Sequence, residues 1–372
     1  MASYDPVLTD LLVVSLEQAV AAPYCSRLLA DAGARVIKLE RPEGDFARAY
    51  DQVMAGESAY FVWLNVGKES IAVDLRKPED RDLVRRMLGR ADVFLQNLRA
   101  GAVERLGLGW EDVRALNPGL VMCSITGFGA EGPDAGRKAY DALVQAESGI
   151  CAITGPPGQP SKVGISICDI SSGLTAFGEI LKALIARRET GTGRHVECSL
   201  FGTMAEWMTV PWAYTTHAGK SVTGRGMDHG QIAPYGDFQA QDGPVFLVVQ
   251  NDREWRSLCD NVLEEPELAR DPRFATNPAR VENLGPLKDR VNATLGEMTR
   301  DEAMNRLEAA GIACGAINDV RGFADHAALQ VKGIDVNGKA LSVPARVGDA
   351  RSRPQSPPVL DEHGTAIRAE FC

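Results

Sequence analysis

Leu11-Leu12-Val13-Val14-Ser15-Leu16, then Pro23-Tyr24-Cys25-Ser26-Arg27-Leu28-Leu29-Ala30-Asp31-Ala32, then Val36-Ile37-Lys38-Leu39-Glu40, follow one another near the start of the chain. The first and third are apolar runs of strand length, and the middle stretch reads as a helix stopped by Gly33. Two strands separated by one helix suit parallel pairing, because a parallel pair needs a crossover of helical length. The alternation continues outward. Ser70 to Leu75 is a strand, Pro78 to Leu88 a helix with proline in its first turn, Val93 to Gln96 a strand, Val103 to Leu106 a helix start and Leu120 to Ile125 a strand. This order predicts an α/β domain with a parallel sheet covered by helices.

Farther along, Asp141 to Gly149 reads as a short helix, and Val163 to Cys168 is an apolar, β-like run. Residues 174–188 carry the clearest helical pattern, with Leu174, Phe177, Leu181, Leu184 and Ile185 on one side and a stop at Thr190-Gly191-Thr192-Gly193. Asp169, in Ile167-Cys168-Asp169-Ile170-Ser171-Ser172-Gly173, falls between the two. A carboxylate at a strand-to-helix junction lies near N–H groups that favour its anion. It is a candidate nucleophile and equally a candidate helix cap, a task that Ser171 or Ser172 can also fill. Cys168 adjoins it, but neighbours on a strand point to opposite faces.

His195 to Leu200 is a further strand. Thr215 to Gly236 is rich in Gly, Thr and His and reads as a loop, linker or lid. Val245 to Gln250 and Ala313 to Ile317 are strands, while Trp255 to Leu263, Leu287 to Leu295 and Arg300 to Ala310 are helices. The predicted organisation is a large α/β domain at 1–210 and 335–372, a small mixed domain at 225–325, and linkers at 211–224 and 326–334.

The 372 residues are 45% hydrophobic and 24% charged, an ordinary globular composition. No apolar run approaches the roughly 18 residues of a membrane span. Met1 to Asp5 lacks the basic and apolar stretches of a signal peptide, so the cytoplasm is the expected location. A net charge of −10 argues against nucleic-acid binding. The eight cysteines are scattered without a C-x-x-C pair, and the five histidines lie far apart, so no metal site is expected. The chain lacks G-x-G-x-x-G after its first strand, G-x-x-x-x-G-K-[ST], H-E-x-x-H and G-x-S-x-G. Carboxylates, basic side chains and backbone amides remain, an inventory suited to acyl transfer through a carboxylate nucleophile.

Residues 21–41 with Gly44-Asp45 and Arg48, Asn97 to Gly107, Gly127-Phe128-Gly129 with Gly132-Pro133, Ala139-Tyr140-Asp141, Asp169 to Gly173 and Thr190 to Arg194 form an ordered series. This series resembles the class III CoA-transferases, of the formyl-CoA and carnitine CoA-transferase type, most strongly over residues 8–210. The resemblance implies that Asp169 attacks an acyl-CoA thioester and then carries CoA as an aspartyl thioester. It implies CoA contacts at Arg41, Val73, Asn97, Leu98, Arg105 and Lys138, where cations suit the phosphates. Tyr140 and Asp141 take auxiliary roles, with Arg48, and Arg225, His229 and Gln231 are candidates for the acid substrate. No metal or redox cofactor is implied: acyl-CoA and a small carboxylic acid are the partners, and the family fold is Rossmann-like with an intertwined homodimer.

The α-methylacyl-CoA racemases resemble the same family, but use a histidine where this chain has Tyr140. A phenol with a pKa near ~10 is a poor two-base partner at neutral pH. A non-catalytic CoA-binding protein is the third reading. Two departures point away from formate and oxalate: no glycine run at Gly224 to Gln231, and Val20 at the place of a glutamine. A C4–C5 dicarboxylate such as succinate, mesaconate, itaconate or citramalate is the expected acid.

Overall fold

The computed structural model describes residues 7–345 and 355–372, so the reading of Met1 to Asp5 lies outside the described residues. Six strands, β1 (Leu12–Leu16), β2 (Arg35–Glu40), β3 (Glu69–Ala72), β4 (Val93–Gln96), β5 (Val121–Thr126) and β6 (His195–Ser199), form one sheet in the order β3-β2-β1-β4-β5-β6. Every pairing in it is parallel, with Leu12 opposite Arg35 and Val13 opposite Val93. This is the predicted α/β architecture, with a Rossmann-like strand order.

Ten α-helices lie between the start of β1 and residue 218: α1 (Ala21–Asp31), α2 (Ala59–Asn65), α3 (Pro78–Leu88), α4 (Ala102–Arg105), α5 (Trp110–Leu116), α6 (Asp141–Glu147), α7 (Ile150–Ile153), α8 (Ile167–Thr190), α9 (Leu200–Trp207) and α10 (Thr209–Ala218). Alternation along each strand sends side chains to two apolar layers. Val13, Val36, Leu95 and Cys123 pack with α1 and α8, whereas Val14, Ile37, Phe94 and Met122 pack with α3, α5 and Ile367 near the C-terminus. Helix α3 coincides with its predicted bounds. Pro78 opens it, Glu79 and Asp80 occupy its first turn, and Arg85 and Arg86 its last, each matching the helix dipole.

The structure corrects two local readings. Val163 to Ser166 is not a strand, and α8 begins at Ile167, so Asp169 is the third residue of a helix. The backbone there, bent at Gly164 and Ile165, is satisfied by a side chain: Val163 N donates to Gln145 Oε1 at 2.8 Å, and Gln145 Nε2 donates to Ile165 O at 3.2 Å. The second correction is α10, which occupies part of the predicted loop at Thr215 and the predicted linker at 211–224. It has no buried residue, so no apolar stripe marked it in the sequence.

By internal contacts the chain divides into two compact units. One holds residues up to Cys151, Lys162–Ser221 and Gln330 onward; the other holds Ala152–Ser161 and Val222–Leu329. The second contains an antiparallel sheet of β7 (Tyr235–Ala240), β8 (Gly243–Val248) and β9 (Ala313–Ala316). Its core includes Phe238, Leu247, Trp255 and Phe274.

Candidate active site at the ends of the parallel strands

The strand order reverses between β1 and β4, and the loops leaving their carboxyl ends diverge there, the usual place for a ligand crevice in such sheets. A cavity of about 640 Å³ occupies it, lined by Gln18 and Ala19 after β1, Asn97 and Leu98 after β4, and Tyr140 and Asp169. A second cavity of about 550 Å³ is lined by Arg41, Val73, Leu75 and Leu106, and shares Gln18 and Leu98 with the first.

The loop after β1 is held from two sides. Asn97 Nδ2 donates to Gln18 O at 2.9 Å, and Gln18 N donates to Asn97 Oδ1 at 3.0 Å. Ala19 N donates to Asp45 Oδ1 at 3.2 Å, and Ala19 takes the left-handed φ of 61° that a non-glycine residue seldom adopts. Beneath this loop Glu17 pairs with Lys68 at 2.7 Å and Lys38 at 3.5 Å, while Lys38 pairs with Asp45 at 2.8 Å, all with fully buried side chains. Burial opposes ionisation of Glu17, yet the two ammonium groups hold its carboxyl below the usual range.

Asp141, at the first position of α6, caps α8 from outside that helix. Its Oδ1 accepts from Cys168 N at 2.8 Å and Asp169 N at 3.2 Å, and its Oδ2 accepts from Gln145 Nε2 at 2.7 Å. Neither serine takes the capping role: Ser172 Oγ donates to Cys168 O, and Ser171 Oγ is buried without a partner. The Asp169 side chain is therefore free of capping. Burial first, and the charge of Asp141 second, push its carboxyl up to about 7. It is a poorly solvated carboxyl facing a cavity.

Gly173 sets the height of this helix end. A Cβ there would lie 2.5 Å from Ala21 O and 3.2 Å from Cys25 N, so α1 and α8 cross with their backbones in contact. Gly127 is equally constrained, since an added Cβ would sit 2.1 Å from that of Ala139, next to Tyr140.

The remaining predicted residues fall into three groups. Lys138 and Tyr140 line the first cavity, with the ammonium 5.1 Å from the ring centre, and exposed Arg41 and buried Val73 line the second. Arg105 is exposed at the end of α4, and Arg48 is a brace: it forms a two-pronged bond to Glu40 at 2.8 and 2.7 Å and lies 3.7 Å from the Phe61 ring centre. Neither Arg105 nor Arg48 lines either cavity. Arg225, His229 and Gln231 belong to the second unit, where His229 stacks on Tyr235 at 4.8 Å and its Nδ1 accepts from Gln231 N at 3.1 Å.

Among the cavity residues that the sequence does not single out, three carry polar side chains of chemical interest. Gln18 stands two places before Val20, the position of a glutamine in the formyl-CoA transferase type, and both line the cavity. Tyr50 also lines it; burial first, then the charges of Asp45 and Asp169, raise its hydroxyl to about 12, so it remains a proton donor. Lys162 is the third.

Residues 8–364 match the model of CoA-transferase family III. The chain belongs to that family. This CoA-transferase is 37% identical to the acetyl-CoA:oxalate CoA-transferase of Acetobacter aceti, over 97% of this chain and 95% of that protein. It is 34% identical to the succinate–glutarate CoA-transferase of Agrobacterium fabrum, over 100% of this chain and 97% of that one. Its fold is similar to the crystal structure of a CAIB/BAIF family protein from Brucella suis, with a TM-score of 0.83, 38% identity, and coverage of 97% of this chain and 98% of that one. Among the described residues, no helix of the transferase is long and apolar enough to cross a membrane.

Proposed function

We propose that this transferase moves CoA from an acyl-CoA to a free dicarboxylic acid through an aspartyl-CoA thioester on Asp169. The observation that carries the reading is the Asp169 carboxyl itself: half-buried, uncapped, pushed up to about 7 and facing the crevice between β1 and β4. An Asp169 oxygen attacks the thioester carbonyl and CoA leaves as thiolate, giving a mixed anhydride. The thiolate attacks the Asp169 carbonyl, the donor acid leaves, and the aspartyl thioester forms. The acceptor carboxylate then attacks that thioester and expels the thiolate, which attacks the acceptor's carbonyl and frees Asp169.

Each step develops an oxyanion. Backbone N–H groups of the cavity loops and the protonated Tyr50 hydroxyl are the donors within this lining. CoA fits the paired cavities: Lys138 and Arg41 supply cations for phosphates, while Val73, Leu98 and Leu106 supply apolar wall. Asn97 serves by holding the Gln18 backbone.

A C4–C5 dicarboxylate is supported by the relatives whose names give succinate and glutarate, D-citramalate and mesaconate, while the oxalate in the name of the Acetobacter aceti relative runs against the expectation that the departures at Val20 and Gly224 to Gln231 point away from that acid. An intertwined homodimer is supported by a large apolar surface on α9 and α10, where Trp207, Val210 and Trp212 are 55%, 63% and 57% exposed. The cytoplasm suits the buried free thiols of Cys25, Cys123 and Cys168. Mass spectrometry after incubation with acyl-CoA tests the mechanism: a CoA adduct on Asp169 is expected, and its absence under trapping conditions would overturn the reading. Sedimentation tests the dimer.

A further inference from the structure

The lining of the Asp169 cavity contains four cationic side chains: Arg99, Arg137, Lys138 and Lys162. Three are engaged. Arg137 pairs with Asp134 and Glu147, Arg99 donates to Gly136 O at 2.6 Å, and the Lys138 ammonium lies over the Tyr140 ring. Lys162 forms no ion pair, hydrogen bond or ring contact with any described residue. Lys162 is exposed to solvent, in a lining that also holds Asp51, Asp141 and Asp169.

The lysine is free, but its base is fixed. Val163 N donates to Gln145 Oε1 at 2.8 Å, and Gln145 Nε2 lies 3.4 Å from Val163 O and 2.7 Å from Asp141 Oδ2. Gln145 is completely buried. Asp141 in turn accepts from Asp169 N. One glutamine thus ties the backbone that carries Lys162 to the capped helix end that carries Asp169, so the two side chains start from a common rigid frame.

We propose that Lys162 recognises the far carboxylate of a dicarboxylic substrate, the group that does not exchange CoA, and so sets selectivity for diacids over monoacids. The near carboxylate must be delivered to Asp169 inside a cavity that already contains carboxylates. A diacid brings a second negative charge into that field, and a cation without a competing partner offsets it. An ammonium on a flexible stem suits acids of different length better than a planar, two-pronged guanidinium does. The inference rests on the aspartyl-CoA reading above.

The test uses the full-length enzyme, Lys162→Met and Lys162→Arg, with succinate and glutarate compared with butyrate and valerate as acceptors. Product acyl-CoA is measured by mass spectrometry. Lys162→Met is expected to lower the ratio of kcat/KM for glutarate over valerate tenfold or more, and Lys162→Arg to recover most of it. An unchanged ratio refutes the role of Lys162. So does a rise in KM for the acyl-CoA donor that matches the loss with glutarate, because it assigns the lysine to a CoA phosphate. A wild-type enzyme that uses only monoacids refutes it as well. These outcomes leave the adduct on Asp169 in place; if wild type forms no adduct with any acyl-CoA, the aspartyl mechanism fails and this proposal with it.

Discussion

Replacing Asp169 by asparagine is expected to stabilise the protein, by an amount that depends on pH. In the folded protein burial and Asp141 keep the carboxyl protonated up to about 7, whereas an exposed aspartate in the unfolded chain ionises near 3.8. The folded state therefore binds more protons between those values, and the group's contribution to stability falls as pH rises through that window. Once ionised in both states, the carboxyl costs the folded protein about 4 kcal/mol, at 1.36 kcal/mol for each tenfold change in proton affinity. At pH 5 the unfolded chain is already ionised while the folded one is not, and the cost is about 1.6 kcal/mol by the same relation. Asparagine keeps the volume and removes the charge. Denaturant unfolding of both proteins at pH 5 and pH 8 should show Asp169→Asn more stable at both, with the gain larger at pH 8 by about 2–3 kcal/mol. Equal stabilities at pH 8, or a gain that does not shrink in acid, would refute the description of Asp169 as a desolvated carboxylate beside a like charge.

Three further outcomes follow from the same geometry. Asp141→Asn keeps an acceptor for the N–H groups of Cys168 and Asp169 but removes the charge, so the acid limb of adduct formation should move to lower pH; a fixed limb would sink this. Gly173→Ala puts a methyl 2.5 Å from Ala21 O and should cost about 1–3 kcal/mol of stability, read by thermal unfolding, with adduct formation slowed as α8 is displaced. Glu17→Gln leaves the buried ammonium groups of Lys38 and Lys68 short of a counter-charge and should cost about 3 kcal/mol, whereas an unchanged denaturation midpoint would show that the network does not support the loop after β1.

The parallel sheet was legible because its strands are buried on both faces and read as continuous apolar runs between helices with clear stops. Asp169 was legible through its local motif, although its helix begins earlier than the apolar pattern does. The run at Val163 reads as a strand from its apolar residues alone; its backbone partner is the side chain of Gln145, which leaves no period in the sequence. The resemblance gives Asp141 an auxiliary role; that it caps a different helix is a relation visible only in three dimensions. The resemblance assigns Asn97 to CoA, and the residue lines the first cavity; that its amide also holds the Gln18 backbone is a relation the motif does not carry. Helix α10 was lost because its apolar residues face outward.

The closeness of Asp141 to Asp169 also bears on the position of equilibrium. In the proposed cycle the resting enzyme carries a buried anion beside a like charge, while the anhydride and the thioester on Asp169 are neutral. Loading the residue abolishes the repulsion and the desolvation cost together. The free enzyme is thereby raised in energy relative to its acylated and CoA-bearing forms, so CoA should reside on the protein for a larger share of each turnover than it would on a solvent-exposed aspartate.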